Sequence, residues 1–296
     1  MDDTARAGDI ILSVRDLAVS FELPDGGALP VLAGVTFDVL RGETLVIMGG
    51  SGCGKSTLLN CLIGEIQPDR GSITYYLPEL GTVDLVTADE ERRDAVRKRF
   101  GILFQSGALF SSLTVAENVA LPLKEHSHVD EDIIDIVVAM KLQQVRMLPH
   151  RDKYPAQLSG GQKKRAGLAR ATALDPELLF YDEPSAGLDP VTSSAIDELI
   201  IDLSRKLQVT SVVVTHDMGS AFRIADRMIM LQSGRILRLG QRAEFERLRD
   251  LPPEQLANAE ERLINQFLRG GASGPLTDAE GMSEYEKILV GVRPAG

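Results

Sequence analysis

The sequence predicts an α/β fold in which helices cover a largely parallel sheet, and three observations support that class. Apolar runs short enough to be strands recur at residues 45–48 (LVIM), 178–181 (LLFY) and 210–215 (TSVVVT), nearly unbroken, as in strands buried on both faces. Stretches of helical period alternate with them, at 56–63 and again after Asp189-Pro190, where Ile196, Leu199, Ile200, Leu203 and Leu207 share one side. Each run also ends in residues able to do chemistry: a Gly-rich loop, the pair Asp182-Glu183, and His216-Asp217. Open α/β sheets bind ligands at such carboxyl ends of parallel strands.

The first of these edges is the most specific. Residues 44–57 (TLVIMGGSGCGKST) run from the apolar strand into a loop with glycines at 49, 50, 52 and 54. Successive N–H groups of such a loop can turn inward on an anion, because no Cβ blocks the approach. Gly49, Gly50, Ser51, Gly52, Cys53 and Gly54 line the expected phosphate cradle. Lys55 adds a point charge for the β and γ phosphates of ATP, and Ser56 offers a hydroxyl to Mg²⁺. Thr57 lies in the opening turn of a helix whose dipole points at the same place. A plain Gly-rich turn is the competing reading, and the motifs downstream decide against it.

Length and composition bound the rest. The chain has 296 residues, 44% of them hydrophobic, enough for one large domain with a sub-lobe and an appendage. No run approaches the roughly 18 apolar residues of a membrane span, and the first residues (MDDTARAGD) lack a signal peptide's basic and apolar regions, so a cytoplasmic protein is expected. A formal charge of −11 argues against nucleic acid or anionic lipid as the main partner; the basic cluster at 92–99 reads as a solvated helix face. The two cysteines, Cys53 and Cys61, lie about 12 Å apart along one helix, too far for a disulfide. Cys53 is a candidate for reaction with thiol reagents when nucleotide does not cover it, and Cys61 reads as a small core residue.

Residues 10–22 (IILSVRDLAVSFE) alternate as a strand, turn at 24–27 and return over 35–40, forming an antiparallel edge. Phe21, at the end of the first strand, is either a ring that stacks on adenine or an ordinary core phenylalanine. The helix after the phosphate loop stops at Gly64, and a PDRG turn leads to a strand at 72–77. A charged helix from Thr87 precedes a core strand at 101–104, which brings Gln105 to the ligand edge, where it can orient water or Mg²⁺. Residues 106–123 combine Leu109, Phe110, Leu113 and Leu121 with a helix start at Thr114 and a break at Pro122. Helical period continues through Ile133, Ile136, Val137 and Met140. Residues 107–164 therefore read as a helical sub-lobe inserted in the core, with an apolar rim suited to docking.

Ser159, Gly160, Gly161 and Gln162 open a further helix, running to about residue 174, with Ser159 as N-cap and two glycines exposing backbone N–H groups. This is a second candidate phosphate-binding tip. Asp182 and Glu183 follow a buried strand: Asp182 is placed to hold Mg²⁺ through its water shell, Glu183 to polarise the water attacking the γ phosphate. His216, at the end of a third strand, reads as a γ-phosphate sensor. Beyond two strands at 227–232 and 235–239 the chain changes character at Gln241. A helix from Pro252-Pro253 with Leu256, Leu263 and Phe267 on one face ends at Gly270-Gly271, and a linker leads to a short tail at 283–292. The natural division is 1–245 as the ATPase domain and 246–296 as a C-terminal extension, either a partner-binding arm or a disordered tail.

One phosphate loop and one acid pair define one hydrolytic site, yet there are two phosphate-binding tips with a helical lobe between them. A head-to-tail homodimer reconciles these: each subunit's Ser159–Gln162 tip closes on the ATP held by its partner's loop. ATP then acts as interface glue.

The combination GGSGCGKS, Gln105, LSGGQ, LLFYDE, SAGLDP and His216 resembles the nucleotide-binding subunit of ABC transporters over residues 10–240. The resemblance implies a P-loop NTPase (RecA-like) core with an antiparallel β edge, an inserted α-helical sub-lobe and a C-terminal helical extension. It also makes Phe21 the adenine-stacking aromatic. FQSGALFSSLTVAENVALPL and DEPSAGLDPVTS look most like the ATPase subunits of Mla/Mce-type systems, which traffic phospholipid in diderm bacteria. That likeness implies an integral membrane permease on the helical lobe, an MCE-domain lipid-binding protein, sometimes a STAS-domain protein, and a place on the cytoplasmic face of the inner membrane. Transport of another solute is the alternative. An ABC ATPase working on DNA or ribosomes usually has two cassettes or a long coiled coil, and this chain has neither. Residues 76–87 depart from the family's compact loop.

Overall fold

The structure, a computed structural model, describes residues 10–24 and 26–270; the expected tail at 283–292 lies outside them. β1 (Ile10–Glu22) and β2 (Ala28–Leu40) form a long hairpin, and β3 (Thr44–Met48) leads through the Gly-rich loop into α1 (Lys55–Leu62). β4 (Arg70–Leu77) and β5 (Gly81–Asp84) return to the hairpin, and α2 (Glu90–Arg97) precedes β6 (Phe100–Leu103). α3 (Val115–His126) and α4 (Glu131–Gln144) come before α5 (Gly160–Ala171). The chain then alternates through β7 (Leu178–Asp182), α6 (Pro190–Leu207), β8 (Thr210–Val214) and α7 (Met218–Ile224). It ends in β9 (Arg227–Gln232), β10 (Arg235–Gln241), α8 (Arg242–Asp250) and α9 (Ala259–Arg269).

Two sheets result. Six strands in the order β10-β9-β3-β8-β7-β6 are parallel except for β10, and four strands in the order β2-β1-β4-β5 are antiparallel. The expected antiparallel edge is thus a sheet of its own. Because successive side chains in a strand point to opposite faces, the parallel sheet divides the core in two. Val46, Met48, Leu179, Tyr181, Val213 and Met230 face α3 to α6. Leu45, Ile47, Leu178, Phe180, Val212 and Leu231 face α1 and the antiparallel sheet. The near-continuous apolar runs in the sequence are the signature of this double burial.

Several boundaries differ from the pattern in the sequence. β2 begins at Ala28 rather than at residue 35, and Pro30 is tolerated because β2 is an edge strand. Residues 76–87 contain β5, whose pairing Leu77↔Gly81 closes a hairpin on β4. β6 is the sheet's edge strand, not a central one. Pro122 does not break α3; it sits in the helix, which Thr114 and Glu117 fasten with a capping box while Val115, Val119 and Leu123 are buried. α5 ends at Ala171, short of residue 174.

A boundary after residue 245 cuts α8, and α8 and α9 bury Phe245, Leu248, Ile264 and Leu268 in the same cluster as the parallel sheet. In α9 the buried face is carried by Ile264 and Leu268, whereas Leu263 and Phe267 are half-buried. Residues 246–270 are packed structure rather than a free arm. Among the described residues no helix is long and apolar enough to cross a membrane.

Candidate functional site

The loop after β3 is compact. Gly54 has φ +105°, and a Cβ there would lie 2.8 Å from Leu32 Cδ2 and 2.9 Å from the Val31 carbonyl oxygen, so the β2 backbone leaves no room for a side chain. Lys55 Nζ donates to the carbonyls of Gly49 (2.8 Å) and Gly50 (2.9 Å), which ties the ammonium to the loop. Gly50, Ser51, Gly52 and Ser56 are exposed at the mouth, and Thr57 is half-buried behind them. Cys53 is not the reactive thiol its position suggests. It is buried, and burial pushes its pKa up despite the nearby Lys55 ammonium, so the thiolate is scarce. Phe21 is 43% exposed on the β1–β2 hairpin that covers Gly54, which makes it a free ring rather than a core one.

At the neighbouring strand ends, Asp182 pairs in register with Val214, and Glu183 follows with φ +47°, a left-handed conformation costly for a residue with a side chain. Its N–H donates to the Val214 carbonyl at 2.9 Å. The carboxylate is held from three directions: His216 Nδ1 lies 2.8 Å from Oε1, and Thr215 Oγ1 and the His216 N–H each lie 3.3 Å from Oε2. Thr215 belongs to the loop after β8, so the acid and the histidine reach each other across two adjacent parallel strands. Burial, and then the Glu183 charge, raises the pKa of Asp182, against the pull of Lys164 and Lys55. Gln105, exposed beyond β6, lines one shallow groove with Asp182, Ala186 and Gly187.

Ser56, Gln105 and Asp182 offer a hydroxyl, an amide oxygen and a carboxylate, an all-oxygen set suited to a hard cation. Among the described residues no three His, Cys, Asp or Glu side chains cluster tightly enough to hold a metal alone.

Ser159 caps α5: the Gln162 N–H donates to Ser159 Oγ at 3.3 Å, and the Ser159 N–H donates to Gln162 Oε1 at 3.0 Å. A Cβ on Gly161 would lie 2.5 Å from Thr192 Cγ2, so the tip packs directly on the start of α6; Gly160 is exposed. Among the described residues no hydrogen bond or ion pair joins residues 159–162 to residues 49–57 of the same chain. The structure brings Gln105, Asp182, Glu183 and His216 to one sheet edge beside the loop, and leaves the α5 tip outside that group.

Two contributors escape the sequence pattern. Lys164 reads as one of several cations on a charged helix, yet it is buried and its Nζ donates to the Glu183 carbonyl at 2.9 Å. Asn118 is fully buried and bonds to Phe110, Leu113 and Thr114, fixing the loop that follows Gln105. Only tertiary packing distinguishes these from surface residues.

A Gly-rich loop on a central parallel strand, with an acid pair and a histidine at the next two strand ends, defines a P-loop ATPase. A family model described as ABC transporter matches residues 32–186. The chain belongs to that family, as an ATP-binding subunit that hydrolyses ATP. It is 38% identical to the intermembrane phospholipid transport system ATP-binding protein MlaF of Escherichia coli K12, covering 86% of this chain and 89% of that one. It is 37% identical to a probable ribonucleotide transport ATP-binding protein, mkl, of Mycobacterium leprae, covering 93% and 72%. Its fold is similar to that of the dimeric ATP-binding cassette MJ0796 in a post-hydrolysis state bound to ADP and Pi, with a TM-score of 0.70 and 28% identity over 78% of this chain and 98% of that one.

Proposed function

We propose that this chain powers phospholipid trafficking between inner and outer membranes, as a homodimer bound to an integral permease on the cytoplasmic face of the inner membrane. The observation that carries the reading is the 38% identity to a phospholipid-transport ATPase across nearly the whole of both chains. In the same reading an MCE-domain lipid-binding protein and a STAS-domain protein complete the complex. The helical lobe offers the permease Phe110, 53% exposed on the loop that Asn118 holds.

At the site, residues 49–57 bind the ATP phosphates and Phe21 stacks on the adenine. Glu183 is the general base: it accepts a proton from the attacking water, and His216 and Thr215 keep its two oxygens aimed. His216 donates through Nδ1 to Glu183, and in its doubly protonated form it has an Nε2–H to donate to a γ-phosphate oxygen. Ser56, Gln105 and Asp182 would hold Mg²⁺, which when bound would offset phosphate charge. The α5 tip, Ser159 to Gln162, serves the partner's nucleotide. Its separation from its own chain's loop supports that assignment.

The test is to recover the native complex from detergent-solubilised membranes with a tagged copy of this chain, and to identify proteins and lipids by mass spectrometry. A permease with an MCE-domain protein and bound phospholipid is expected. A second reading, transport of another solute, is favoured by the name of the mycobacterial relative. A permease without MCE protein or lipid supports it.

A further inference from the structure

Lys164 occupies an unusual position for an ammonium group. It is 4% exposed on α5, two residues beyond Gln162, and among the described residues its one hydrogen bond goes to a neutral main-chain carbonyl, that of Glu183 at 2.9 Å. Among the described residues no carboxylate is paired with its ammonium at ion-pair distance. Burying a cation without a direct ion pair costs several kcal/mol, and an apolar side chain of similar length would pack there without that cost. A group retained at such cost needs a use, and the carbonyl it holds belongs to the one residue of the acid pair in a left-handed conformation.

We propose that Lys164 is a positioning residue for hydrolysis: it clamps the Glu183 peptide from the carbonyl side and thereby ties the carboxylate to the helix that carries the Ser159–Gln162 tip. The clamp has two jaws. The Glu183 N–H is fixed by the Val214 carbonyl on β8, and the Glu183 carbonyl by Lys164 on α5. With both jaws closed, the side chain leaves its strained backbone in the direction that meets His216 and Thr215. A displacement of α5 moves Lys164 and turns the Glu183 peptide. If the tip serves the partner's nucleotide, as proposed above, occupancy of one composite site reaches the base of the other through this contact.

The test is ATP turnover against ATP concentration for full-length wild type, Lys164→Met, Lys164→Arg and Glu183→Gln. Lys164→Met is expected to lower kcat by about 10- to 100-fold with KM within about 3-fold, the pattern of a misplaced group rather than lost binding. Lys164→Arg, which keeps the charge and the donor, should restore kcat. A Lys164→Met enzyme with wild-type kcat overturns the inference. Should that variant lose its cooperative melt, Lys164→Gln carries the test: it stays polar but is too short to hold the Glu183 carbonyl, so kcat should fall with KM kept, and a wild-type kcat there is equally fatal. The inference rests on Glu183 as the base, and Glu183→Gln separates the two: full turnover in that variant defeats both, whereas lost turnover beside an unaltered Lys164→Met defeats Lys164 alone.

Discussion

Glu183 gathers more structural constraint than any other residue at the sheet edge. It has a left-handed backbone, a main chain held on both sides, and a carboxylate shared between Thr215 and His216. Strained conformations cost of order 1–3 kcal/mol and persist where surrounding structure enforces them. Glu183→Gln keeps that shape and loses the basic oxygen, so turnover is expected to fall by at least ~10²-fold while ATP affinity changes little, read by steady-state rates beside equilibrium binding. Asp182 adds a pH dependence. Its pKa is raised by burial and by Glu183, so protonation begins at a higher pH than for an exposed aspartate. Activity should fall on the acid side from that higher point, and Asp182→Asn should abolish the dependence along with most of the Mg²⁺ affinity. A wild-type profile flat down to the ordinary aspartate range contradicts this. The loop, the acid pair and His216 are legible in the sequence because spacing alone defines them. Cys53 and Lys164 are not, since burial decides whether a thiol ionises or a lysine faces solvent.

Elements differ in how far local signals define them. Alternation marks β1, and continuous apolar runs mark β3, β7 and β8, because a strand buried on two faces needs no polar side. Pro122 misleads because a proline removes one hydrogen bond, which buried Val119 and Leu123 offset. α8 is hidden for a different reason: in RAEFERLRD only Phe245 and Leu248 are buried, too few to show a period amid so many charges. Those two residues anchor the C-terminal helices, with Asn265 bonding back to the Leu248 carbonyl. Phe245→Ala should therefore cost about 3–5 kcal/mol in chemical denaturation, as for other fully buried phenylalanines. A loss under ~1 kcal/mol would mean that α8 is peripheral to the core.

At the scale of the whole molecule, the parallel sheet aligns the phosphate loop, the acid pair and the histidine at one edge. α5 projects its capped tip elsewhere, tied to that edge by Lys164 and by the Gly161–Thr192 contact. In the proposed function, one chain thus holds the two halves of a site that it does not join. Mixing two inactive variants, Lys55→Ala and Ser159→Arg, tests this most directly. In a two-fold dimer with composite sites, the mixed dimer contains one site with an intact loop from one subunit and an intact tip from the other. ATP turnover is expected to reappear on mixing, well above that of either variant alone. A mixture no more active than its parts contradicts the composite site and returns both tips to a single chain.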